Sequence, residues 1–90
     1  MLWVGIPISD LLSRAGSSLQ NIASVTITGV TGYSRTLSSD EALNPNFMIA
    51  LKANGATLTV DHGYPARLVA PTRPGLDWVK YVATITCKTN

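Results

Sequence analysis

This sequence predicts an α+β domain with a mostly antiparallel or mixed sheet and one or two short helices, and three observations carry that expectation. Five to seven short β-prone runs follow one another without the strand–helix–strand rhythm of a parallel sheet. Asn54-Gly55, directly after the apolar run of residues 47–53, is the strongest hairpin signal in the chain. Helical spacing occurs only in two brief stretches.

Residues 2–6 are short, apolar and β-prone. Ser9 is then placed to cap a brief helix with Asp10 in its first turn. Ile8, Leu11, Leu12 and Ala15 share one face at i, i+3, i+4, i+7 spacing, and Gly16 is placed to end the helix. Residues 24–30 alternate, Val25 and Ile27 on one side and Thr26 and Thr28 on the other, as a half-buried strand does. Gly29 to Gly32 supplies a bend before a second extended run at residues 33–37. Ser38 or Ser39 can cap the helical turn that follows, Ser38 standing three residues before Glu41 in the spacing of a capping box, and Asn44-Pro45 stops it. Residues 57–60 read as the return strand of the Asn54-Gly55 hairpin. Residues 67–70 and 79–87 give two further strands, separated by a rigid loop from Pro71 to Gly75.

With 90 residues, the chain makes one domain with a modest core. Apolar residues are 46% of it and charged residues 13%, which excludes a disordered polyelectrolyte. The net charge of +2 is too small to drive binding to nucleic acid or to an anionic membrane by itself. Arg67, Arg73 and Lys80, however, fall in a short stretch with Asp77 as its single acid, so the positive potential is local. A single cysteine, Cys87, forms no internal disulfide and reads as a small buried hydrophobe. One Cys and one His do not make a zinc cluster. No apolar run approaches the ~18 residues of a membrane span, and Met1 to Val4 carries no signal-peptide pattern.

The chemistry is concentrated in residues 62–80. One imidazole, two guanidiniums and an ammonium stand there on a backbone stiffened by Pro65, Pro71 and Pro74 and freed at Gly63 and Gly75. That combination suits holding an anion in a fixed pose. His62 and Arg67 flank a turn fixed by Pro65 and are expected to converge on one pocket wall. Arg73 and Lys80 extend the cationic edge, and Gly75 lets backbone N–H groups approach a ligand. The bland alternative for each is a solvated surface side chain.

His62-Gly63-Tyr64-Pro65-Ala66-Arg67-Leu68-Val69-Ala70-Pro71, Gly75 four residues on, and Val79-Lys80-Tyr81 resemble the oxidoreductase molybdopterin-binding domain of the sulfite oxidase family. Trp3-Val4-Gly5-Ile6-Pro7-Ile8-Ser9-Asp10-Leu11-Leu12 is similar to that family's Trp-x-Gly-Val-Pro-Leu-x-Asp-Leu-Leu segment. Gly32-Tyr33, Glu41-Ala42-Leu43 and the Asn54-Gly55 hairpin follow in family order, so the resemblance covers nearly the whole chain as a single domain, 1–90.

The resemblance implies a molybdenum cofactor whose pterin and terminal phosphate are gripped by side chains and backbone amides. His62, Arg67 and Lys80 fall on the matching contact positions. Arg73 and Gly75 join them on charge and backbone freedom alone, because Thr72-Arg73-Pro74-Gly75 departs from the family's glycine-led loop. The implied chemistry is oxygen-atom transfer on sulfur compounds, with a haem or membrane subunit as possible electron partner.

The family's metal is bound by a cysteine thiolate ahead of the Trp-x-Gly-x-Pro segment, where this sequence has none, and Cys87 matches no ligand position. The chain therefore reads as the C-terminal part of such a domain, with no catalytic or metal-ligating residue of its own, no bound cofactor and no turnover in isolation. A periplasmic, extracellular or membrane-associated parent chain is expected over a cytoplasmic one. The alternative is a non-catalytic module that keeps the scaffold and binds another anion or a protein. Nucleic-acid binding is disfavoured by the few cations, and serine hydrolysis by the lack of a G-x-S-x-G elbow.

Overall fold

Alternating apolar residues in the N-terminal half build strands, and the computed structural model describes residues 2–16 and 19–89, excepting the side chains of Leu19 and Leu76. Strand β1 (Trp3–Pro7) leads without a loop into helix α1 (Ile8–Arg14). Strand β2 (Ile22–Gly29) and β3 (Ser34–Ser38) form an antiparallel pair, followed at once by α2 (Ser39–Leu43). Strands β4 (Met48–Ala53), β5 (Ala56–Thr57), β6 (Arg67–Val69) and β7 (Val82–Thr89) complete the chain, with 3-10 turns at Val60–His62 and Gly75–Asp77.

Two antiparallel sheets result. In one, β4 lies between β1 and β5 and also pairs with β6; in the other, β2 lies between β3 and β7. The two are stitched by backbone bonds from Leu68 N to Val79 O (2.8 Å) and from Val82 N to Ala66 O (2.9 Å). Between the sheets and helices lies one apolar cluster that includes Ile8, Leu12, Val25, Ile27, Leu37, Phe47, Leu68 and Val79. The α+β architecture is the one the sequence predicts.

Local rules account for most element ends. Asn54 and Gly55 both adopt positive φ, 52° and 81°, and join β4 to β5 as a two-residue hairpin. The Ser38–Glu41 capping box is formed: the Ser38 hydroxyl accepts from Glu41 N at 3.2 Å, and Glu41 Oε1 accepts from Ser38 N at 3.0 Å. Gly5 sits where β1 and β4 slip register, and an added Cβ would run into the Ile49 carbonyl. Only glycine permits that approach.

Several expectations are corrected. Helix α1 starts at Ile8, behind Pro7, with no side-chain cap, so Ser9 lies inside the helix. Proline fixes the extended φ that ends β1 and leaves no loop in which Ser9 could cap. Ala15 is exposed and stands at the C-cap. The return strand β5 ends at Thr57, because the chain turns into the Val60–His62 helix turn. The last strand starts at Val82, since Tyr81 has φ of 54° and breaks the extended run. Cys87 is half-buried against the core cluster.

Candidate functional site

The predicted site residues come from two segments that the sheet-joining bonds bring side by side, residues 60–69 and residues 73–81. Gly63 is their meeting point. It caps the Val60–His62 turn with φ of 103°, and a Cβ there would lie 3.0 Å from Arg67 Cβ and 3.2 Å from Lys80 Cβ. The glycine is required twice, for its left-handed backbone and for the closeness of its neighbours. The Tyr64–Pro65 peptide after it is cis.

Arg67 opens β6, where all three residues are buried, and it is only 8% exposed. Its guanidinium lies between two indoles, 4.8 Å from the Trp3 ring centroid and 5.4 Å from that of Trp78. The two rings meet edge to face at 6.0 Å. Cation–π attraction strengthens when the cation is desolvated, so the indoles offset part of the cost of burial. That burial still pushes the Arg67 pKa below arginine's ordinary value, though the side chain stays charged. Nη1 donates to the His62 carbonyl at 3.3 Å, while the buried Nε meets no partner. A buried donor without a partner costs about 1–3 kcal/mol. A ligand acceptor is the natural complement of such a group.

His62 and Lys80 frame the same turn. The His62 imidazole is exposed and its Nδ1 shares a hydrogen bond of 2.8 Å with Thr59 Oγ1. It therefore lines a cleft of about 190 Å³ with Asn54, Thr57 and Thr59 rather than sharing a wall with the Arg67 guanidinium. Arg67 reaches His62 through the backbone carbonyl, and the expected convergence of the two side chains is not what the structure places there. Lys80 is exposed beside buried Val79, and its Nζ donates to Asp61 O at 2.7 Å. Two cations thus hold two successive carbonyls of the turn.

Gly75 and Lys80 belong to a second cleft, about 400 Å³, walled by Tyr33, Trp78 and Tyr81. Around Gly75 there is open space, which leaves its backbone accessible. Aromatic walls with one ammonium at the rim suit a flat, anionic ligand. Arg73 is drawn elsewhere. Its Nε and Nη2 grip both Glu41 carboxylate oxygens at 2.6 and 2.7 Å, Nη1 reaches Asp77 at 3.4 Å, and Nη2 also donates to Thr36 O at 3.0 Å. The charge-based assignment of Arg73 to the ligand is displaced by this: its fork is filled by carboxylates of the fold. The Arg73 hydrogen bond holds the Glu41 carboxyl down from 4.5 to about 2.

Sequence reasoning missed the two tryptophans as the walls around Arg67. They are the only two in the chain, Trp3 opening one quoted motif and Trp78 directly preceding Val79-Lys80-Tyr81, which was the available signal. Among the described residues no three His, Cys, Asp or Glu side chains cluster as a metal site, and no helix is long and apolar enough to cross a membrane.

The domain is thus a two-sheet α+β fold that sets a cationic turn beside an aromatic cleft. The family model described as oxidoreductase molybdopterin binding domain matches residues 1–90, and the chain belongs to that family, in its sulfite oxidase branch. The NADH nitrate reductase of Spinacia oleracea is 31% identical over 98% of this chain and 11% of its own length. The mitochondrial sulfite oxidase of Homo sapiens is 30% identical over 93% of this chain and 17% of its own. The crystal structure of the sulfane dehydrogenase SoxCD from Paracoccus pantotrophus superposes with a TM-score of 0.84 at 34% identity, covering 94% of this chain and 22% of that one. The chain spans roughly a tenth to a fifth of the length of these relatives.

Proposed function

We propose that this chain supplies the cofactor-gripping part of a sulfite-oxidase-like molybdenum oxidoreductase, with His62, Arg67 and Lys80 holding the phosphorylated pterin and Gly75 admitting its backbone N–H. The observation that carries this is the buried Arg67 Nε without an acceptor, one turn from the Gly63 junction that also brings in Lys80. The residues that fit the group are the orphan cationic donor of Arg67 and the Lys80 ammonium, at a turn kept free of side-chain bulk, with the His62 imidazole on the neighbouring cleft. Arg73 has no part in the grip, because its donors are taken by Glu41, Asp77 and Thr36.

When bound, the molybdenum cofactor supplies oxygen-atom transfer, with sulfur compounds as the substrate class. The contribution of this chain is binding and orientation. Charge-assisted bonds from Arg67 and Lys80 to a phosphate are worth about 1.5–3 kcal/mol each. The indoles of Trp3 and Trp78 keep water from the guanidinium and fix its plane. Among the described residues, no cluster of His, Cys, Asp and Glu is placed to bind the metal, and Cys87, in β7, stands in none. The isolated chain therefore turns over no substrate, and an electron-accepting haem or membrane subunit belongs to the longer protein.

The test is anaerobic incubation of the purified chain with molybdopterin, followed by gel filtration and measurement of retained pterin. The wild type retains pterin, Arg67→Ala and Lys80→Ala lose most of it while keeping their far-UV spectra, and none shows sulfite-dependent activity. Equal retention by a folded Arg67→Ala refutes the grip. Stoichiometric molybdenum with sulfite or sulfoxide turnover refutes the inactivity.

A further inference from the structure

The Glu41–Arg73 ion pair is far from idle at its place in the fold. It ties the loop before the Gly75–Asp77 turn to α2, and Arg73 Nη2 ties it also to β3 through Thr36 O. Asp77, two residues beyond Gly75, bridges Arg73 to Arg35 of β3, whose Nε lies 2.9 Å from Asp77 Oδ1. Arg73 N donates to Ala70 O at 2.9 Å, so the residue is fixed by backbone as well as side chain. Its carbonyl then accepts from the Trp78 indole Nε1 at 3.1 Å. That bond sets the rotation of the indole whose face meets Arg67.

We infer that Arg73 is a positioning residue for Arg67, acting through the Trp78 indole: the Glu41–Arg73 pair anchors the carbonyl that orients Trp78 against the Arg67 guanidinium. This rests on the proposed role of Arg67 in holding the cofactor. The physical reason is that a guanidinium left with one long hydrogen bond and an unpaired Nε has little of its own to hold it in place. Its pose depends on the two ring faces, and the Trp78 ring, packed on the core and on Trp3, has its rotation fixed by one side-chain hydrogen bond, to Arg73 O. A side chain supported in this way loses its geometry when the support behind it is removed. Trp3, by contrast, is carried by β1 and stays where it is in the absence of Arg73.

The resonance of Arg67 Nε–H in the ¹⁵N-labelled chain reads this directly. In the wild type, ring currents of the two indoles displace the proton, and burial slows its exchange with water. In Arg73→Gln and in Glu41→Gln the displacement shrinks and exchange quickens, while the amides of β2 and β7 keep their wild-type shifts. Replacing the Trp78 indole by benzothiophene, as 3-benzothienylalanine, keeps the bicycle and deletes only the N–H that meets Arg73, and it quickens the exchange likewise. It decides the matter where the ion-pair variants do not fold. An unchanged Arg67 exchange rate in any folded variant of the three overturns the inference.

Molybdopterin retention separates this inference from the reading it rests on. Arg73→Gln is expected to weaken retention roughly tenfold, the lower range for a supporting residue behind a ligand-contacting one. Wild-type retention by Arg67→Ala refutes the cofactor grip and leaves the Arg73 support standing. An unmoved Nε–H refutes the support and leaves the grip standing.

Discussion

At the scale of single residues, Arg67 is a costly feature of the fold, and the proposed ligand would supply the acceptor it lacks. Its guanidinium is desolvated, flanked by aromatic faces and short of one acceptor. Replacing a buried charge by an apolar side chain of similar length is often neutral or stabilising. Arg67→Met is therefore expected to match the wild type or exceed it by up to about 1 kcal/mol in urea denaturation, while losing anion binding. A large loss of stability instead would mark Arg67 as a structural residue. Gly63 gives the opposite case. Gly63→Ala places a side chain at φ of 103° and against Arg67 and Lys80, and should cost about 1–3 kcal/mol by the same measurement.

Elements are held at their ends, and α2 shows how. Its capping box satisfies two orphan backbone donors, and Ser38→Ala is expected to lower stability by about 1 kcal/mol. Glu41 serves twice, in that box and on Arg73. Its folded pKa is depressed, from 4.5 to about 2, so the stability it contributes is present above 4.5 and is lost as the pH falls toward 2. Acid titration of unfolding free energy should thus show the wild type losing about 1 kcal/mol over that window, and Glu41→Gln losing correspondingly less. Identical acid profiles would mean that the pair contributes nothing.

The capping box was legible in the sequence because it is set by residues three apart. The partner of Arg73 was not. Glu41 lies thirty-two positions away, and only the packing of α2 beside the loop brings the two together. Charge counting therefore placed Arg73 on the ligand, where tertiary structure places it on a carboxylate. The N-terminus of α1 failed for the reverse reason: Ser9 has the right chemistry, but Pro7 carries the strand directly into the helix.

Across the whole molecule, the two sheets share one core and one set of crossing backbone bonds. Phe47, 1% exposed, lies in that cluster and its carbonyl accepts from Ile8 N at 3.2 Å. Phe47→Ala should cost about 3–5 kcal/mol and unfold both sheets in a single transition, monitored by circular dichroism and tryptophan fluorescence together. Two separated transitions would show that the sheets are independent units. The architecture was legible because alternation, the Asn54-Gly55 turn and short helices are local signals. His62, Arg67 and Lys80 stood out by charge and by resemblance, whereas their meeting near Gly63 depends on β6 reaching the lead-in to β7 and was not legible. Which way each side chain turned, His62 toward Thr59 and Arg67 inward between indoles, is a matter of packing that no spacing encodes.

The proposed function requires that the cationic turn at residues 60–67, with Lys80, accept a phosphate. Titration of the ¹⁵N-labelled chain with inorganic phosphate tests it most directly, read at the Arg67 Nε–H and at the backbone amides of His62, Gly63 and Lys80. Saturable shifts confined to those groups are the expected result. Shifts that never saturate, or that spread over Arg14, Lys52 and Lys88 as much as over Arg67, would contradict it.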